Sequence, residues 1–294
     1  VRIHIVVNPM AGRGRALRRV TDLEHALAAG GASVTVHRTT GPGDAATHVA
    51  RLGPGDFDRL VVVGGDGTLH EAVNGKDRLP WPVALVPLGT ANLVARDAVV
   101  PLGADVTPHA RTILEGVPWE VDLLQTDRGR ALAVVGAGLD AIVVRAVADA
   151  RRGGVGGYGR WIVPIARTFF GYRPARLRVV VDGRVVTGGA VIVQNTHCYG
   201  GLFTLSRDAR MDDGVLDVVV LGEASRRDHF RMLVRAYAHR LHLDHGVTVL
   251  RGTHVEVTSD RPVDVQADGD PAGHTPLSAH VLPRALTLLR PPAR

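Results

Sequence analysis

The segment Val61-Val62-Val63-Gly64-Gly65-Asp66-Gly67-Thr68 is a β-branched apolar run that ends abruptly in three glycines, an aspartate and a threonine. It reads as a buried strand that delivers the chain to a sharp, closely approached turn. Glycine suits both demands, because it has no Cβ to clash. The amides of such a turn can cradle a phosphate, and the helix expected from about residue 68 adds its positive N-terminal end. Asp66 stands where a metal ion or a substrate hydroxyl could be met. The chain supplies its own control. Asp182-Gly183, within residues 178–186, reads as an ordinary hairpin with a tight two-residue turn. A single Asp-Gly therefore says little, and the glycines around Asp66 say more.

Outward from this segment, the first 120 residues alternate strand and helix signals. Strands are expected at 2–7, 33–39, 60–63 and 82–90, and helices at 16–29, 41–52, from 68 and at 91–98. This rhythm predicts a parallel sheet flanked by helices. Ligands in such folds bind beyond the carboxyl ends of the strands. The turns at 8–15, 39–44, 64–68 and 89–92 all fall on that rim. From about residue 120 the pattern becomes alternating β, at 119–136, 175–195 and 214–223, which predicts an antiparallel sandwich. Helices are expected at 158–171 and 225–240, and last strands at 247–257, 262–266 and 278–289. The domains expected are 1–118, α/β, and 119–279, a β-sandwich, with about 280–294 a candidate for return to the first.

The length of 294 residues and the 45% hydrophobic content support a real core. Cys198 is the single cysteine, so an internal disulfide framework is excluded and a reducing cytoplasm is expected. Residues 1–7 read as a strand rather than a signal peptide, and no apolar run is long enough to span a bilayer. The net charge is +6, and Lys76 is the sole lysine. A GxxxxGK[ST] phosphate loop is absent, so nucleotide phosphates would fall to backbone amides, arginines and metal. At 4% aromatic content, with no interleaved basic-aromatic patch, nucleic acid is not an expected partner. The 14 histidines show no paired ligand spacing for zinc.

The segments 8–14 (NPMAGRG), 39–45 (TTGPGDA), 64–75 (GGDGTLHEAVNG), 87–97 (PLGTANLVARD), 136–141 (GAGLDA), 194–201 (QNTHCYGG), 210–217 (RMDDGVLD) and 268–270 (DGD) together resemble the diacylglycerol kinase and sphingosine kinase superfamily, in its bacterial lipid kinase branch. GGDGT also occurs in NAD kinases, but GGDGTxxEAxNG followed by PLGTAN is far more specific. The resemblance implies a phosphofructokinase-like α/β domain, a β-sandwich domain, and ATP- and Mg2+-dependent phosphorylation of a lipid hydroxyl, with diacylglycerol the favoured acceptor. Other lipid alcohols and a non-catalytic nucleotide- or lipid-binding regulator are the alternatives. It places nucleotide contacts on Asn8, Gly12, Thr39, Gly64, Gly65, Asp66, Gly67, Thr68, Gly89, Thr90 and Asn92, with Glu71 as polar support sharing a helix face with Asn74. The hydroxyl's proton acceptor falls on Asp270, and Asp66 is the competing assignment. A structural Mg2+ falls on Asp213, helped by carbonyls near Arg210 and Val215. Three positions depart from the pattern: Leu93 where Asp or Asn is usual, Asp270 where Glu is usual, and Arg207 where proline is common. A lipid acceptor implies transient peripheral contact with a membrane. The arginines 151, 152, 160, 167 and 173 around the apolar run 161–170 are the expected docking surface. A homo-oligomer is left open.

Overall fold

The computed structural model describes residues 1–152, 174–201, 203–223 and 226–293. Its contacts divide the chain into two units, Val1–Leu123 with Pro283–Arg294, and Leu124–Leu282.

The first unit is built on parallel strands in the order β2 (Ser33–Arg38), β1 (Arg2–Val7), β3 (Arg59–Gly64), β4 (Val83–Pro87), joined beyond β4 by the end of β16 (Leu277–Arg290) at Leu288. β3 and β4 are apolar on both faces and almost wholly buried, as expected where helices cover both sides of a sheet. After the short helical turn α1 (Ala11–Gly14), one cover is α2 (Ala16–Ala29). Its Ala16, Val20, Leu23 and Leu27 recur at helical spacing and pack on Ile3, Ile5, Val7, Val61 and Val63. The others are α3 (Asp44–Arg51), α4 (Asp66–Asn74), α5 (Leu93–Asp97) and α6 (Thr107–Glu115). α6 carries no strong sequence pattern, yet it has proline in its first turn, and it buries Ala110 and Ile113 in the same core. β1 also seats a column of rings. His4 is buried, its Nδ1 lies 2.7 Å from Thr35 Oγ1, and its Nε2 lies 2.8 Å from His48 Nε2. His48 stacks on His37, and Phe57 and Trp81 continue the stack beyond His4. Burial, then the neighbouring His48 and His37, pushes His4 down to about 4.

The second unit is a β-sandwich. One sheet is antiparallel in the order β12 (Val247–Gly252), β11 (Leu216–Leu221), β10 (Ala190–Gln194), β7 (Val134–Ala137), β14 (Asp264–Ala267), β15 (Asp270–His274). The other runs β9 (Arg184–Gly188), β8 (Leu177–Val181), β13 (His254–Ser259) and the start of β16. β5 (Val117–Thr126), which brings the chain in, pairs at its end with β6 (Gly129–Ala131). Inward residues of both sheets, among them Val135, Val179, Val193, Val218 and Val257, form one core. The β8–β9 hairpin turns on Asp182 and Gly183 with φ of 45° and 85°, the all-positive pair that a tight two-residue turn requires.

α7 (Leu139–Arg152) packs against β14 and β15. It was not expected, because residues 139–147 are rich in β-branched side chains that read equally well as strand. α8 (Arg226–Tyr237) lies where a helix at 225–240 was predicted. Of the expected docking surface, Arg151 and Arg152 close α7, while its residues 160–173 and the helix expected at 158–171 lie outside the described residues. Among the described residues no helix is long and apolar enough to cross a membrane.

Candidate functional site

The carboxyl rim of the parallel sheet is laced together by main-chain hydrogen bonds. Thr39 N–H donates to Val7 O at 2.9 Å, Asn8 N–H to Val63 O at 3.1 Å, Leu88 N–H to Gly64 O at 2.7 Å, and Gly12 N–H to Leu88 O at 3.1 Å. Asn8, Gly12, Thr39, Gly64 and Leu88 are thereby brought onto one edge, although the sequence spreads them over 80 positions. Within the first of these turns Gly12 and Arg13 both have positive φ, and Asn8 Oδ1 accepts the Met10 N–H at 3.0 Å. Arg15 Nε donates to Gly12 O at 2.9 Å and Arg19 Nη1 to Gly103 O at 2.8 Å.

The centre of this edge is a contact between two glycines. A Cβ on Gly65 would fall 2.9 Å from Gly89 Cα, and one on Gly89 would fall 2.6 Å from Gly65 Cα. A Cβ on Gly64 would meet Thr68 Oγ1 at 2.5 Å, which explains why the strand must end in glycine here. Gly67 differs, because its missing Cβ faces open space. α4 begins at Asp66, two residues ahead of the expected start, and its N-terminal amides therefore open onto the rim. Asp66 Oδ1 accepts the Val94 N–H at 3.4 Å. Asn92, buried and left-handed at φ 49°, clasps the second turn, with Oδ1 accepting Gly89 N–H at 2.9 Å and Nδ2 donating to Gly89 O at 3.0 Å. Gly64, Gly65, Asp66, Pro87 and Asn92 line a small cleft here. Thr90 is exposed beside it, Thr68 is buried and Glu71 half-buried on α4. Asn74 is turned back on its own helix, donating to His70 O at 2.9 Å.

In the second unit Asp270 opens β15 and is exposed. The turn before it is rigid. Asp268 and Gly269 have φ of 49° and 87°, and the Asp268 carboxylate accepts the N–H groups of Leu132 (2.7 Å), Ala133 (2.8 Å) and Val134 (3.0 Å). Gly269 N–H donates to Gln266 Oε1 at 2.9 Å, and Gln266 Nε2 donates to Asp140 Oδ2 at 3.1 Å. Tyr199 O–H donates to the same oxygen at 3.3 Å. Asp140 Oδ1 is sealed from solvent and has no partner among the described residues. Burial pushes the Asp140 carboxyl up to about 6, against the pull of Gln266 and Tyr199. Gly136 makes room for it, since a Cβ there would lie 2.1 Å from Asp140 Oδ2.

Two family models cover nearly all of the chain. The diacylglycerol kinase catalytic domain matches residues 2–126, and the YegS C-terminal NAD kinase beta sandwich-like domain matches residues 133–290. The chain belongs to the diacylglycerol kinase family, and it is a kinase. Its curated relatives include the diacylglycerol kinase of Bacillus subtilis strain 168, 26% identical over 94% of this chain and 91% of that protein. The diacylglycerol kinase of Staphylococcus aureus strain MRSA252 is 25% identical over 99% and 92%. The crystal structure of a diacylglycerol kinase from Bacillus anthracis strain Sterne shares the fold, with a TM-score of 0.76 at 21% identity over 99% of this chain and 97% of that one.

The departures from the family pattern acquire physical content. Leu93 is buried at the start of α5, so the position serves the core. Arg207 donates to His239 O through both Nε (3.2 Å) and Nη2 (2.8 Å), fixing its loop by hydrogen bonds where a proline would fix it by ring closure. The metal expected at Asp213, with Arg210 and Val215, meets a donor set that is already engaged. Asp213 Oδ1 accepts the Val215 N–H at 3.3 Å, Asp213 Oδ2 pairs with Arg251 Nη2, and Arg210 Nε pairs with Asp212 Oδ1 at 3.2 Å. Sequence reasoning passed over Asp140, Gln266 and Tyr199. The segments 136–141 and 194–201 were noted as motifs, but nothing in them announces that their side chains converge. It also passed over Asp122, a buried carboxylate on β5 whose Oδ1 accepts the Arg284 N–H at 2.8 Å.

Proposed function

We propose that this chain is an ATP- and Mg2+-dependent lipid kinase that phosphorylates the hydroxyl of a lipid alcohol, with diacylglycerol the favoured acceptor and phosphatidic acid the product. The observation that carries the reading is the glycine-to-glycine contact of Gly65 and Gly89 at the N-terminus of α4, on the carboxyl rim of a parallel sheet. It leaves backbone rather than side chain facing an incoming polyphosphate, which suits a chain with no phosphate-loop lysine. Catalysis of phosphoryl transfer is mainly positioning and charge neutralisation. The turns at 8–14 and 64–68 hold the phosphates through amides, with Thr39, Gly89, Thr90 and Asn92 around the nucleotide. Asp66, a hard oxygen donor at that rim, would hold Mg2+, which when bound neutralises phosphate charge. The lipid oxygen attacks the γ-phosphorus, the bond to the bridging oxygen breaks, ADP leaves, and the hydroxyl proton passes to a carboxylate. Asp270 is the assigned acceptor and Asp66 the competing one. The kinase meets its substrate by transient peripheral contact with the membrane and works from the cytoplasm.

The test is ATP-to-lipid phosphate transfer with Mg2+ across diacylglycerol, monoacylglycerol, ceramide, sphingosine and phosphatidylglycerol, with Asp66→Ala and Asp270→Asn alongside. Transfer to diacylglycerol that falls by roughly 1,000-fold or more in Asp66→Ala is the expected result. Transfer confined to another lipid of the panel replaces the acceptor. ATP binding without transfer to any lipid removes the lipid-kinase reading. Loss of kcat in Asp270→Asn with KM for ATP unchanged assigns the base to Asp270.

A further inference from the structure

The acidic turn at residues 210–217 is where the family resemblance implies a structural divalent cation, and its donor set does not fit one. Asp217 is buried on β11 and stands directly opposite Arg251 of β12 in the antiparallel register. Arg251 reaches two carboxylates with one guanidinium. Its Nε lies 3.4 Å from Asp217 Oδ2, and its Nη2 pairs with Asp213 Oδ2. The remaining oxygens of both carboxylates are also engaged. Asp217 Oδ1 accepts the Ser206 O–H at 2.7 Å, and Asp213 Oδ1 accepts the Val215 N–H. Arg210 lies on Asp212 at the other side of the turn. A hard dication takes six or more oxygen ligands, with carboxylate oxygens turned towards it. Here each oxygen of Asp213 and Asp217 already faces a donor, and two guanidinium charges stand against the loop. Among the described residues no group of three His, Cys, Asp or Glu side chains is placed to hold a metal.

We infer that Arg251 is the resident cation of this turn: it bridges Asp213 and Asp217 and takes over the charge neutralisation that a structural divalent ion would supply. The planar fork of arginine suits this task, because its separate N–H groups engage two acceptors at once, whereas a lysine ammonium is a single point charge. Cross-strand placement opposite Asp217 fixes where the guanidinium sits. The sandwich therefore folds and holds this turn without a divalent ion, and the need for Mg2+ in the proposed reaction belongs to the nucleotide alone.

The experiment uses the full chain without nucleotide. Mn2+ binding is titrated by electron paramagnetic resonance, and thermal melts are recorded in EDTA and in millimolar Mg2+, for wild type, Arg251→Gln, Arg251→Lys and Asp213→Asn. Wild type is expected to melt at the same temperature in both buffers and to show no Mn2+ site that Asp213→Asn removes. Arg251→Gln is expected to melt roughly 5–10 °C lower and to regain part of that loss with Mg2+. It should also gain Mn2+ affinity by at least about ten-fold, a gain abolished when Asp213→Asn is added. A wild-type Mn2+ site lost in Asp213→Asn overturns the inference. So does an Arg251→Gln protein that folds, melts as wild type and gains no metal. If Arg251→Gln does not fold, Arg251→Lys decides: a folded protein that binds no Mn2+ supports the resident cation, and one that binds it through Asp213 overturns it. Because no arm uses lipid or ATP, the result stands apart from the fate of the kinase reading.

Discussion

Asp-Gly occurs at Asp66-Gly67, Asp182-Gly183, Asp213-Gly214 and Asp268-Gly269, and the first differs from the two that turn hairpins. In the second unit the pairs 182–183 and 268–269 are tight hairpin turns with positive φ at each residue. Both aspartates staple neighbouring strands. Asp182 accepts the amides of Thr253 and His254, and Asp268 accepts those of Leu132, Ala133 and Val134. In the first unit the pair sits in the opening turn of α4, and the local geometry is enforced by glycine backbones in contact rather than by the carboxylate. Asp182 and Asp268 each collect two or more amides and are architectural. Asp66 accepts the Val94 amide at 3.4 Å, and the close fit around it comes from the backbones of Gly65 and Gly89.

The sharpest way to break this contrast is at Asp268. Asp268→Ala strands three amides and should cost about 4 kcal/mol, read as a lower denaturation midpoint. A loss under about 1 kcal/mol would mean the carboxylate is no staple. Next comes Gly65→Ala, whose new methyl strikes backbone at Gly89. It should lower kcat/KM for ATP about 100-fold, or some 2.7 kcal/mol of transition-state stabilisation. Gly67→Ala sharpens the point, since its methyl meets only open space. Weaker ATP binding by calorimetry with an unchanged melt would show that the ligand itself approaches Gly67, and unchanged binding would remove the loop from the phosphate site.

Acidification should then separate the two units. His4 is held below its ordinary value, so its contribution to the first unit is present above pH 6.5 and is lost as pH falls towards 4. Asp140 is held above its ordinary value, so the second unit gains as pH falls through 6. Each effect is bounded near ~1.4 kcal/mol per pH unit, and amide protection factors of the two units, corrected for the intrinsic pH dependence of exchange, should move in opposite directions between pH 7 and 5. Parallel movement would refute the assignment. The smallest effect belongs to the control turn: Gly183→Ala at φ 85° should cost about 1 kcal/mol and leave phosphate transfer unchanged.

Most of the first unit was legible because buried parallel strands leave uninterrupted apolar runs, and α2 shows its core face at regular spacing. α6 escaped because its buried set, Ala110 and Ile113, is thin, and α7 because Ile142, Val143 and Val144 suggest strand. The turns on the carboxyl rim of the parallel sheet could be read, since each carries glycine, asparagine or threonine at a strand end. The network from Tyr199 through Asp140 and Gln266 to Gly269 could not. Its members are ordinary residues far apart in sequence, and only the pairing of β7 with β14 makes them neighbours. Arg251 was hidden in the same way, one arginine among many until the β11–β12 register set it against Asp217.

The neighbour that β4 acquires at Leu288 belongs to a segment translated after the whole of the second unit. While the ribosome is still making the sandwich, β4 is paired with β3 on one side only, and its outer edge, which Leu288 later meets at Val83, stands open beside side chains made for burial. The first unit is thus synthesised first and finished last. During that interval the open edge of β4 is a template for strand addition.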